Sequence, residues 1–87
     1  MIASDHYARI HRLPCIVCLH CYGRRVNCDE AHHLEIVRGA HSAYAVVPLC
    51  KSCHDEMHEN RRRSFYRAHK IDDIRLLAWT IKELVSI

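Results

Sequence analysis

Two C-x-x-C pairs, Cys15-Ile-Val-Cys18 and Cys50-Lys-Ser-Cys53, stand far apart in a chain of 87 residues. Nothing else in the sequence limits the fold as strongly. Each pair has the ligand spacing of a zinc knuckle. Two knuckles on separate elements can close a tetrahedral site of four thiolates, with zinc–sulfur distances of about 2.3 Å. That closure would tie the start of the chain to its middle. A chain this short forms one domain, residues 1–87. Its core alone supplies modest stability, so such a domain needs a staple.

Six cysteines can also make three disulfides in a secreted protein. The N-terminal stretch MIASDHYARIHRL has no apolar signal region, and no segment approaches the length of a membrane span. C-x-x-C pairs among nine histidines read as metal chemistry in a reducing compartment. The expectation is therefore a cytoplasmic protein with a structural Zn²⁺ and no membrane partner. Cys18 and Cys21 share the same spacing. Pro14 stiffens the entry to the first knuckle and favours Cys15 with Cys18, which leaves Cys21 and Cys28 as free thiols or an alternative ligand pair.

The formal charge is +3, and four thiolates around one zinc would lower it by two units. This balance is compatible with a nucleic-acid partner without establishing one. The local clusters say more: Arg24-Arg25, Arg38, and the run Arg61-Arg62-Arg63. Each could equally be a solvated face or turn.

No repeat or linker interrupts the chain. Ser4 is placed to cap a first helix running to Arg12, because the residue before Pro14 avoids helical angles. Leu19 to Cys28 is polar, contains Gly23, and reads as a loop or knuckle. Ala31–Val37 and Tyr44–Val47 are rich in β-formers and read as two strands. A helix is expected from Lys51 through His58, another from Ser64 to His69, and a last one after Asp72 as N-cap. That last helix carries Ile74, Leu77, Ala78, Ile81, Leu84 and Val85 as its apolar face, with Ile71 and Leu76 as a hydrophobic staple across the cap. Trp79 lies off that face, where it covers a neighbouring element or marks a dimer contact.

Four cysteines complete a structural site, and histidines remain. His54 and His58 lie four apart on the expected helix, so both rings leave one face with Cβ atoms roughly 5–6 Å apart. Two helical histidines share one metal at this spacing. A third ligand has to come from elsewhere, and the pair His32-His33 on the first strand is the candidate. Neighbouring strand residues point to opposite sides, so one of the two can bind the ion while the other does something else.

The strings LPCIVC, EAHHL and VVPLCKSCHDEMH resemble the HNH nucleases, whose core is two strands and a helix around one catalytic divalent ion. With a helix before LPC and RRRSFYRAHKIDD after the motif, the chain is most similar to the phage recombination-enhancement (Ref-type) members. The likeness covers roughly Tyr7 to Asp72. It implies an α+β fold: a small ββα-metal domain over about 29–59, stapled by the four-cysteine zinc, with flanking N- and C-terminal helices (the latter about 64–86).

The resemblance also implies roles. His33 would be the general base that takes a proton from the water attacking a phosphodiester. His32, His54 and His58 would hold a catalytic Mg²⁺, Mn²⁺ or transition-metal ion. A histidine suits the base role because an unperturbed imidazole, with a pKa of about 6.5, is neutral at cellular pH. Arg38 could reach a phosphate near the metal, and Arg61, Arg62 and Arg63 could track a DNA backbone.

One position departs from the pattern. The family's asparagine lies three residues before the proline of PLC, and here that residue is Ala45. In the family it helps shape the loop holding the base, so its absence bears on the orientation of His33. His41 or Ser42 are candidates to replace it. Glu30 matches an acidic position of the family and would either orient an imidazole or sit in solvent.

Two readings follow. One is a metal-dependent DNA endonuclease of phage or prophage origin, working in the bacterial cytoplasm. A domain this small would be directed by a second copy or by a recombination or repair protein. The other is a non-catalytic zinc module that binds nucleic acid or protein, its nuclease site decayed. The second histidine set distinguishes them, because a zinc-stapled module has no need of it.

Overall fold

Val46 and Val47 are adjacent in sequence and both fully buried. Neighbouring strand residues face opposite ways, so both sides of the strand must be covered. The computed structural model describes residues 3–34, 44–58 and 62–86. It contains α1 (Ala3–Arg12), α2 (Ile16–Tyr22), β1 (Glu30–His33), β2 (Val46–Leu49), α3 (Lys51–Met57), α4 (Arg62–His69) and α5 (Asp73–Val85).

The two strands form an antiparallel pair with Glu30 opposite Leu49, Ala31 opposite Pro48, His32 opposite Val47 and His33 opposite Val46. Ala31, His33, Val46 and Pro48 therefore share one face. Helix α1 covers that face, where Ile10 and Leu13 pack with Ala31 and Val46. The other face presents His32, Val47 and Leu49. It is covered by a larger cluster of Ile16 and Val17 of α2, Met57 of α3, Phe65 of α4, and Leu76 of α5. The knuckle cysteines Cys15, Cys50 and Cys53 belong to the same cluster, so the staple lies inside the core.

Pro48 is tolerated inside β2 for a geometric reason. Leu34 N–H donates to Ala45 O at 2.8 Å. By alternation, the nitrogen of Pro48 points away from β1, where no ladder bond is lost.

The sequence expectation of a loop or knuckle from Leu19 to Cys28 is corrected at its start, where α2 runs on to Tyr22, and holds for residues 23–28. The first knuckle opens into α2, which buries Ile16 and Val17. Gly23 marks the end of that helix. It adopts φ 65° and ψ 27°, the left-handed conformation that glycine enters at no steric cost. Its N–H donates to Leu19 O at 3.1 Å, and that of Arg24 to Cys18 O at 3.0 Å. Ser4 does not cap α1, which already includes Ala3; the helix does end at Arg12, before Pro14. Strand β2 lies two residues further along than Tyr44–Val47, and residues 35–37 of the expected first strand fall outside the described residues. Helix α4 starts at Arg62 rather than Ser64.

Helix α5 begins as expected. The Asp72 side chain accepts from Arg75 N–H at 2.7 Å, and Ile71 and Leu76 are both buried in one cluster, as a staple requires. The expected apolar face is met in part. Leu77 and Leu84 are half-buried and pack against the core, but Ile74, Ile81 and Val85 are exposed, as is Ala78, and the fully buried positions of the helix are Leu76 and Thr80. Thr80 can be buried because its hydroxyl donates to Leu76 O at 2.9 Å, which satisfies the polar group within its own helix. Trp79 covers a neighbour: its ring stacks on His20 of α2, with centroids 4.7 Å apart and planes within 9°. Glu83 holds the same imidazole at 3.1 Å.

Candidate metal centres

The four knuckle sulfurs converge. Cys15, Cys18, Cys50 and Cys53 bring their Sγ atoms within 4.8 Å of one another. Cys18 Sγ lies 3.9 Å from Cys50 Sγ and 3.8 Å from Cys53 Sγ. A tetrahedron with zinc–sulfur bonds of about 2.3 Å has edges of about 3.8 Å, so these sulfurs stand where one zinc ion would hold them. The structure thereby chooses Cys18 with Cys15. Cys21 and Cys28 lie outside the cluster and carry free thiols.

Protonation in this cluster is uneven, for a reason that itself favours a cation. Hydrogen bonding from Cys53 pulls the Cys15 thiol down to about 5 against the opposing effect of burial. Burial, then the charge on Cys15, pushes Cys18 up to about 12. Cys53 is also raised, by its hydrogen bond to Cys15 and by burial. A thiolate at Cys15 holds Cys18 and Cys53 protonated. A divalent ion removes that penalty, and the four residues fit one.

Local structure presents the second knuckle. Cys50 precedes α3 with extended angles and makes no side-chain cap, since its sulfur faces the cluster. The cap comes instead from Asp29, just ahead of β1, whose carboxylate accepts Lys51 N–H at 2.8 Å. Sequence reasoning missed this residue, because the cap is supplied across a distance in the chain.

The second cluster is His32, His54 and His58, again with ligand atoms within 4.8 Å. Helix α3 stops one residue short of the expected end, and His58 is its C-cap at φ −91° and ψ −171°. The two imidazoles still meet, with Nε2 atoms 2.9 Å apart. Two nitrogens at about 2.1 Å from one ion and at right angles to each other would be about 3 Å apart. The ring of His32 reaches the pair from β1, 5.3 Å from each by centroids. Burial, then the neighbouring His54 and His58, pushes His32 down from 6.5 to about 4. It is therefore neutral at neutral pH and offers a lone pair. The three imidazoles could hold a metal ion, and three protein ligands would leave room for a further one.

His33 is outside that cluster. It lies on the opposite face of β1, is exposed, and its Nε2 is hydrogen-bonded to the Tyr7 hydroxyl. Among the described residues, the Glu30 carboxylate holds no imidazole, and Glu30 is exposed. Arg62 and Arg63 are exposed at the start of α4. They line a cleft of about 410 Å³ with Tyr66, Asp72 and Asp73. Arg62 and Asp73 are close enough for their charges to act on His32 in opposite directions, and Tyr66 donates to Asp73. Arg38, His41, Ser42 and Arg61 lie outside the described residues. Sequence reasoning also missed Tyr7 and Tyr66, since a tyrosine at a helical position carries no signal of its partner.

Comparison with protein-family models, with curated proteins and with solved structures finds no match. The four-cysteine cluster can hold a metal such as zinc, and no helix among the described residues is long and apolar enough to cross a membrane. The functional reading rests on the two ligand clusters and their surroundings.

Proposed function

We propose that the chain is a metal-dependent DNA endonuclease of the HNH type, with a structural zinc at the cysteines and a catalytic divalent ion at His32, His54 and His58. The observation that carries this reading is the second cluster: a strand and a helix bring three imidazoles to one point, beside a fourth histidine in the next strand position. A bound ion would polarise the phosphoryl oxygen and neutralise charge on the departing 3′-oxygen. The chain's own part is acid–base and positional. His33 takes one proton from water, the water oxygen bonds to phosphorus, the P–O3′ bond breaks, and the 3′-oxygen acquires its proton from solvent. Arg62 and Arg63 line the cleft near the triad and bind backbone phosphates, as Arg38 and Arg61 do on the sequence reading. A phage or prophage origin and a directing partner, a second copy or a recombination or repair protein, belong to the same proposal.

Ala45 at the position of the motif asparagine favours the second reading, a zinc module whose nuclease site has decayed. The deciding experiment is nicking of supercoiled plasmid by wild type and His33→Ala, with EDTA, Mg²⁺, Mn²⁺ or Ni²⁺, both proteins carrying one tightly bound zinc. Metal-dependent nicking that disappears in His33→Ala supports the nuclease. Zinc-loaded proteins that cut neither plasmid, single-stranded nor branched DNA would leave the binding module.

A further inference from the structure

The ring of His33 needs a support that Ala45 cannot give. The main chain fixes the strand: His33 pairs with Val46, and Leu34 N–H bonds Ala45 O at 2.8 Å. Neither contact fixes the rotation of an exposed imidazole. Helix α1 supplies what is missing. Ile10, with no exposed surface, anchors α1 to the sheet face that carries His33. Tyr7, one turn earlier, packs against the same cluster. From that half-buried position its hydroxyl meets His33 Nε2, and the two rings touch edge to face at 5.5 Å and 61°.

We propose that Tyr7 is the positioning residue of His33, its phenolic oxygen accepting the Nε2–H so that Nδ1 is the atom that receives the proton from water. A neutral imidazole has one N–H and one bare nitrogen. If the phenol donated to Nε2, the proton would sit on Nδ1 and the bare nitrogen would be occupied by tyrosine. With the phenol accepting, Nδ1 is bare, and among the described residues it has no hydrogen-bond partner. Both the neutral ring and the protonated ring keep Nε2–H, so the bond to Tyr7 survives the proton transfer and the ring does not turn during it. The ring of His33 is thus oriented by a side chain from the N-terminal helix.

This assignment rests on the nuclease reading for its kinetic consequence, but its structural content stands apart from it. Tyr7→Phe keeps the ring and its packing and removes only the hydroxyl, so zinc content and folding should match wild type. On plasmid or short oligonucleotide substrate we expect kcat to fall about 10–100-fold with KM unchanged, the usual loss when an outer partner of a functional histidine is removed. Long-range ¹⁵N correlation of the histidine rings reports the tautomer in the substrate-free protein. Wild type should show His33 protonated at Nε2 alone, and Tyr7→Phe a shifted, averaged signal at that ring and no other. A wild-type ring protonated at Nδ1, or a Tyr7→Phe enzyme with unchanged kcat, overturns the proposal. If no variant cleaves any nucleic acid the nuclease reading fails, and the tautomer decides the Tyr7 assignment alone.

Discussion

Cys18 and Cys53, from helices α2 and α3, hold their sulfurs 3.8 Å apart, at the edge length of a zinc tetrathiolate. Zinc at such a site contributes folding free energy directly, on the order of 10–16 kcal/mol of apparent binding near neutral pH, more than a core this small can supply. Native mass spectrometry should find one tightly held zinc per chain. Cys53→Ser should lose it and its cooperative thermal transition together. Cys21→Ser and Cys28→Ser should keep the zinc. A Cys53→Ser protein that melts like wild type would show that the cluster is not the staple.

The 2.9 Å separation of His54 and His58 Nε2 makes a separate prediction for the second ion. Calorimetric titration of the zinc-loaded protein with Ni²⁺ should show one further site. His54→Ala and His58→Ala should each weaken it by at least about 100-fold, beyond the 10–100-fold typical of outer-shell partners. His33→Ala should bind Ni²⁺ as wild type does, because His33 faces α1. Equal weakening in His33→Ala would mean that the adjacent pair shares the ion.

Asp29 carries the N-terminal cap of α3 in place of Cys50, through a 2.8 Å bond to Lys51 N–H. Loss of a side-chain cap costs about 1 kcal/mol. Urea denaturation of the zinc-loaded protein should show that loss for Asp29→Ala. Asp72→Ala, which removes the cap of α5, should cost a similar amount. No change in Asp29→Ala would show that the knuckle alone sets the start of the helix.

The ligand clusters were legible because their spacing is local: C-x-x-C and H-x-x-x-H fix geometry within a turn of chain. So was the division of His32 from His33, which needs only the alternation of a strand. Partners supplied from elsewhere were not legible. Nothing in the sequence says that Asp29 caps α3, or that Tyr7 meets His33, because the first depends on how β1 pairs with β2 and the second on how α1 packs on β1. The apolar face of α5 was legible only in part, for the same reason. Leu77 and Leu84 pack against the core as expected, whereas Ile74, Ile81 and Val85 are exposed and the deepest positions are Leu76 and a threonine that satisfies its own hydroxyl.

The docking of α5 through Leu76 is testable. Leu76 has no exposed surface and Ile74 is 68% exposed. Leu76→Ala should cost about 2–5 kcal/mol, the range for a buried leucine whose cavity does not collapse. Ile74→Ala should stay within about 0.5 kcal/mol. Denaturation midpoints of the two variants decide it, and a reversed order would restore the face expected from sequence.

His32 makes stability depend on acid even before a second metal binds. Burial, with His54 and His58 beside it, lowers its imidazole from 6.5 to about 4 in the folded chain. Between those values the unfolded chain holds a proton at this residue and the folded chain does not. Stability therefore rises with pH across that window, and it is lost as pH falls from about 6.5 toward 4. His32→Asn removes the titrating group while keeping a polar side chain of similar reach. In zinc-loaded protein without a second ion, the wild type should lose stability relative to His32→Asn on going from about pH 7 to about pH 5. The difference between the two proteins cancels what acid does to the cysteine site. Denaturation curves that stay parallel over this range would show that His32 is solvated, and that its ring is not held among the other two.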